Sequence, residues 1–126
     1  MNEKRIRVFV PGDVKAPAIS VECINRTEKR LISGAIRMPR GEAWGVVRAG
    51  RVISWAVARL PDENGVRHIT VETDREYRGN GYAAACVQAV VRAVREPLIY
   101  ECEAGNLASA RTALKAGLVE QPVPQR

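Results

Sequence analysis

The chain has 126 residues, 46 % of them apolar and 27 % charged, with 20 basic against 14 acidic side chains. That length and mixture fit one domain, residues 1–126, able to bury roughly two-thirds of its unfolded surface, and exclude a disordered or low-complexity chain. The net charge of +6 is scattered from Arg5 to Arg126 and aromatics make up only 5 %, so the charge reads as a solvated basic surface or a match to an anionic small ligand, and nucleic acid is not the expected partner.

No run approaches ~18 consecutive apolar residues, so no membrane partner is expected. The opening Met1-Asn2-Glu3-Lys4-Arg5 has no apolar signal core. The cysteines Cys23, Cys86 and Cys102 form no CxxC pair. A cytoplasmic chain with no disulfide framework and no metal site is expected.

Residues 5–10, Arg-Ile-Arg-Val-Phe-Val, begin with polar–apolar alternation and predict a strand that Pro11-Gly12-Asp13 ends. Ile24, Leu31, Ile32, Ala35 and Ile36 lie near helical spacing and predict a helix over 25–36, stopped before Pro39. Trp44 to Arg48 reads as a strand, Ala49-Gly50 as a turn, and Val52 to Leu60 as the returning strand. Pro61-Asp62-Glu63-Asn64-Gly65 is a second turn, since Asn-Gly supplies the positive φ of a tight hairpin, and Val66 to Thr73 is the third strand of a meander.

The period then changes. Gly81 to Arg95 is nearly all Ala, Val and Cys, with Gln88, Arg92 and Arg95 as one thin polar stripe, which predicts a mostly buried helix ended by Pro97. Leu98 to Cys102 is a short strand. Asn106 is a good N-cap for a last helix over 107–116, and Gly117 a good residue to end it. The unit from 66 to 103 predicts a right-handed parallel crossover.

The segment that carries chemistry is Val71-Glu72-Thr73-Asp74-Arg75-Glu76-Tyr77-Arg78-Gly79-Asn80-Gly81-Tyr82-Ala83. A strand ends, a loop holds two glycines, and a helix begins at once. Glycines admit a ligand close to the backbone, and the first helical amides and the helix dipole favour an anion, with Arg78 beside them. A phosphate or pyrophosphate is the natural guest; the plainer reading is a strand-to-helix turn built with Gly. Gly79 to Ala84 also fits the relaxed dinucleotide fingerprint G-x-G-x-x-G/A, but antiparallel strands precede it and about 40 residues follow, which is the wrong context for that fold.

Arg78-Gly79-Asn80-Gly81-Tyr82-Ala83, preceded by Glu76-Tyr77, resembles the R/Q-x-x-G-x-G/A motif of the GNAT superfamily of N-acetyltransferases. Asn106-Leu107-Ala108-Ser109 followed by Lys115-Ala116-Gly117-Leu118 is similar to that family's N-x-x-S…K-x-G-F pattern. The resemblance covers about residues 42–118. It implies an α+β fold with a mixed antiparallel and parallel central sheet, helices on both faces and shortened ends. It also implies acetyl-coenzyme A as cofactor, its pyrophosphate on the amides of Arg78, Gly79, Asn80, Gly81, Tyr82 and Ala83. The pantetheine arm would lie along Val71 and Thr73, with Asn106 facing the coenzyme. The strands carrying Val71 and Cys102 would splay around the thioester.

The pattern breaks at Ala113, where the family's usual tyrosine acid would stand. A thiolate is a fair leaving group, with a deficit of roughly 2 kcal/mol at neutral pH, so water, Tyr100 or Cys102 can stand in, Tyr100 first. The incoming amine, with a pKa near ~10.4, needs a base. His68, Glu72, Glu101 and Glu103 are candidates, Glu72 first because its strand leads into the loop. Pro122 and Pro124 leave room for at most one short strand after Gly117. The strand of Tyr100 is therefore expected to have an open edge that a homodimer covers. The resulting expectation is acetyl transfer to a primary amine of unknown identity by direct ternary-complex attack. The alternative is a catalytically weak module that keeps the acyl-coenzyme A site; a nucleotide binder of another fold and a basic phosphate-binding protein stand further off.

Overall fold

The computed structural model describes residues 5–24, 31–32 and 38–122. Its strands are β1 (Ile6–Pro11), β2 (Glu22–Cys23), β3 (Leu31–Ile32), β4 (Gly41–Arg48), β5 (Arg51–Arg59), β6 (Arg67–Thr73), β7 (Leu98–Glu103) and β8 (Leu118–Gln121), and its helices are α1 (Tyr82–Ala93) and α2 (Leu107–Lys115). They form one mixed sheet in the order β2-β4-β5-β6-β7-β1-β8, with β3 alongside β5.

The meander is as its sequence predicts. β4, β5 and β6 run antiparallel. The first turn places Ala49 at φ 50° and Gly50 at φ 75°. In the second, the Asp62 carboxylate accepts from the amides of Asn64 (2.8 Å) and Val66 (3.0 Å), which with Gly65 at positive φ closes the hairpin. β5 lies at the centre and is buried from Val52 to Ala58. Strand alternation sends Ala56 and Ala58 to the larger core cluster and Trp55 and Val57 to a smaller one with Ile24, Ala43 and Val52.

Both described helices feed the larger cluster, α1 through Ala84, Cys86, Val87 and Val90, α2 through Ala110 and Ala113. The helix expected over 25–36 lies outside the described residues except at Leu31–Ile32. Those two are strand instead of helix, paired parallel with Arg51 and Val52; backbone pairing beside β5 outweighs the local spacing. α1 stops at Ala93, short of the Arg95 expected, because Val94 turns extended and drops into the core ahead of Pro97.

β6 and β7 are parallel, paired at Arg67–Leu98 and His68–Ile99. Beyond those pairs the strands part. Arg67, only 9 % exposed, braces the paired end: its guanidinium donates to the carbonyls of Arg59 (2.9 Å) and Ala58 (3.1 Å) and to Glu96 (3.2 Å). The other edge of β7 corrects an expectation. It is covered by β1, antiparallel, from Ile6–Glu103 to Phe9–Tyr100, and β1 in turn carries β8, from Val8–Gln121 to Pro11–Leu118. Among the described residues β8 is the one strand after Gly117, and the edge that motivated a homodimer is filled from within the chain. Phe9 stands edge-on to the ring of Tyr100, centroids 6.0 Å apart, and Arg7 makes two hydrogen bonds to Glu120 (2.8 and 2.6 Å).

Candidate functional site

The amide of Arg67 donates to the carbonyl of Pro97 across the β6–β7 gap (2.9 Å). Backbone groups alternate along a strand, so those of Val71 and Thr73 face the same side, where β7 has moved away. The gap opens there. The Thr73 hydroxyl is held by the fully buried Ser54 (2.8 Å), which also receives the thiol of Cys86 (3.7 Å). Burial pushes that thiol up to about 11, so Cys86 is a neutral donor and not a nucleophile.

After Thr73, Asp74 caps a short 3-10 turn, Arg75–Tyr77. Gly79 (φ 83°) and Gly81 (φ 78°) then take the left-handed conformation, which glycine enters without steric cost. The Asn80 amide bends back to the carbonyls of Tyr77 (3.0 Å) and Arg78 (3.4 Å). Gly81 is the N-cap of α1 and brings no side chain to the free amides there. Arg78 donates to the Thr73 carbonyl and to the Glu72 carboxylate, both at 3.2 Å. From the opposite wall, Arg111 and Lys115 of α2 reach the cleft, and the Lys115 ammonium lies over Gly81. Three cations and one carboxylate thus surround an uncapped helix start, an arrangement suited to a phosphorylated ligand.

The cleft has a volume of about 590 Å³, in the range of small-molecule sites. It brings together Val71, Glu72, Thr73, Arg78, Gly79, Gly81, Tyr82, Ala83, Tyr100 and Asn106, each singled out from the sequence. Asn80 belongs to the same loop, with its side chain turned away from the cleft lining. Asn106 caps α2 by accepting from the Ser109 amide (3.1 Å). The other base candidates lie elsewhere: His68 sits between Asp62 (3.1 Å) and Glu101 (3.3 Å), and Glu103 is not part of the lining. Cys102 is buried outside the lining, as is Ala113, which is 0 % exposed.

Tyr100 is 2 % exposed, and burial raises its phenol above the usual value. Its hydroxyl lies 2.9 Å from the Ser109 carbonyl and 2.8 Å from the Ser109 hydroxyl. Ser109, Arg111 and Lys115 were not predicted as site residues. The signal was present: Ala108, Arg111, Thr112 and Lys115 recur at i, i+3, i+4 and i+7, one face of α2, though such charges read equally well as solvated.

Among the described residues no helix is long and apolar enough to cross a membrane. The sequence pattern of the acetyltransferase (GNAT) family matches residues 16–118. Among solved structures, a GNAT-family protein from Novosphingobium aromaticivorans superposes with a TM-score of 0.69 at 19 % identity, over 92 % of this chain and 59 % of its own. An N-acetyltransferase-like protein from Streptococcus suis gives a TM-score of 0.63 at 18 % identity, over 95 % and 59 %. The chain therefore spans about three-fifths of the length of each. No curated protein sequence matches it.

Proposed function

The chain belongs to the GNAT acetyltransferase family, and on that premise we propose that it transfers an acetyl group from acetyl-coenzyme A to a primary amine by direct attack in a ternary complex. One observation carries the reading: the parted strands β6 and β7 lead straight to an uncapped helix start flanked by Arg78, Arg111 and Lys115.

The residues fit such a coenzyme. A Cβ on Gly79 would meet nothing within 4 Å, and one on Gly81 only the end of Lys115, so the backbone is open to phosphate oxygens. The first amides of α1 and the three cations bind that charge. The backbone of Val71 and Thr73 holds an extended arm as a strand would be held. When bound, the coenzyme supplies an acyl group already activated as a thioester.

The chain's own work is then placement and proton handling. Glu72 takes the proton of the incoming ammonium, directly or through water, since an amine near pKa ~10.4 is protonated at neutral pH. Amides in the parted region stabilise charge on the carbonyl oxygen. Juxtaposition of amine and thioester supplies much of the rate.

Melting curves with acetyl-coenzyme A, coenzyme A, NAD and ATP in parallel test the cofactor. A ligand at 100 times its Kd adds about 2.7 kcal/mol, or about 5 to 15 °C for a chain of this size. A shift with the two coenzyme A species alone supports the reading, and thiol release with a panel of amines tests turnover. Binding without turnover on any amine makes the chain a coenzyme-binding module; no shift removes the enzyme reading.

A further inference from the structure

The Tyr100–Ser109 pair holds two hydroxyl protons among three oxygens, and their arrangement decides whether one proton is left over. The phenol has one proton and two acceptors on Ser109 at nearly equal distance, the carbonyl at 2.9 Å and the hydroxyl oxygen at 2.8 Å. If the phenol donates to the carbonyl, the Ser109 hydroxyl turns its own proton to the phenol oxygen and both protons are spent inside the pair. If the phenol donates to the hydroxyl oxygen, the Ser109 proton is free for a third atom. Ser109 lines the cleft, so an acceptor bound there can take it.

The pair is held rigidly. The Ser109 amide is fixed on the Asn106 side chain (3.1 Å), and the Tyr100 ring is wedged against Phe9. Ala113, one turn further along α2, is fully buried and sends nothing into the cleft. Of the two α2 hydroxyls in the cleft lining, Thr112 spends its proton on the Ala108 carbonyl (3.1 Å), and Ser109 is the one in contact with Tyr100.

Resting on the reading above, we propose that Ser109 is a catalytic residue whose hydroxyl donates to the sulfur as the thioester breaks, and that Tyr100 is a positioning residue that frees this proton by donating to the Ser109 oxygen. The balance is complete. The amine nitrogen forms a bond to the carbonyl carbon, the carbon–sulfur bond breaks, and its electron pair leaves on sulfur. An ammonium loses two protons on the way to an amide: Glu72 takes the first before attack, and the second leaves the nitrogen for water after the carbon–nitrogen bond forms. Ser109 stabilises the thiolate by a hydrogen bond until water protonates it. The phenol stays neutral throughout, in keeping with its burial.

The test is the acidity of coenzyme A bound to the protein, read from thiolate absorbance in the ultraviolet as a difference from protein alone. In the wild type the bound thiol titrates below the free value of about 8.5. Ser109→Ala raises it by about one pH unit and lowers kcat roughly 10- to 100-fold, as for loss of a hydrogen bond to a charged group, with the Kd for coenzyme A changed less than about twofold. Tyr100→Phe, which keeps the ring packing, moves both quantities the same way by less, and Ser109→Thr restores them. Folded S109A and Y100F proteins with wild-type thiol titration overturn the proposal while leaving the coenzyme reading intact. A wild type that does not bind coenzyme A at all overturns the reading, and this assignment falls with it.

Discussion

The Lys115 ammonium lies 3.0 Å from the point where a side chain on Gly81 would begin, at the residue that opens α1. A cation beside the positive end of a helix is unfavourable by a few tenths to about 1 kcal/mol. An anion placed between them reverses the sign. Lys115→Ala is therefore expected to leave the melting temperature unchanged or slightly higher and to weaken coenzyme A binding about five- to tenfold. Titration calorimetry at two salt concentrations checks it, since the deficit shrinks as salt screens the wild type.

Gly79 and Gly81 separate strain from contact. Both have positive φ, so alanine at either costs about 1–2 kcal/mol. Only at Gly81 does the new Cβ press on Lys115; at Gly79 it meets nothing within 4 Å. Urea unfolding should show similar losses for G79A and G81A, and coenzyme binding should fall further in G81A.

Ser54 joins the thiol of Cys86 to the hydroxyl of Thr73. Ser54→Ala removes the partner of both, leaving Cys86 the Val46 backbone and Thr73 the cleft, so the loss should be about 1 kcal/mol. Because Thr73 also lines the cleft, the KM for the coenzyme should rise in the same variant. A denaturation curve and a KM measured on one preparation decide it.

Restoring the family's tyrosine at Ala113 should fail. The position is 0 % exposed, and overpacking a closed core costs about 1–3 kcal/mol or more. A113Y should melt lower than the wild type and release thiol no faster.

Acid should loosen the β1–β8 edge. The Arg7 guanidinium holds Glu120 below the usual glutamate range. A depressed carboxylate contributes stability above its unfolded pKa, about 4.3, and that contribution is lost as pH falls through the folded value. Wild type should therefore exceed Glu120→Gln in urea midpoint at neutral pH, and the gap should close on titration below about pH 4. Asp62 is also lowered, chiefly by the Val66 amide, and supplies a background acid slope common to both proteins.

The meander, α1, β7 and α2 were legible because each is long enough to show a period and each ends at a Gly, Pro or Asn signal. The loop from Arg78 to Ala83 was legible because its motif came in order with the Asn106–Leu118 pattern; its two glycines alone read equally well as a plain turn. β2 and β3 have two residues each, too few for any period, so spacing near Leu31 suggested a helix instead. The place of β1 was hidden for another reason. Its alternation marks a strand, but nothing local says that its partners stand at Glu103 and Gln121. Lys115 was read within a motif, and only the approach of α2 to α1 makes it part of the cleft.

That placement of β1 sets an order of assembly. Ile6 pairs with Glu103 and Val8 with Gln121, so a segment synthesised before the meander is joined to the sheet by segments synthesised after it. The meander and α1 are built from neighbours in sequence, while β1 must wait for loop closure across nearly the whole chain. Contacts of such range slow folding. On a ribosome, β1 would emerge early and stay unpaired until β7 and β8 arrived, and the wall carrying Tyr100 would be the last part of the cleft to set.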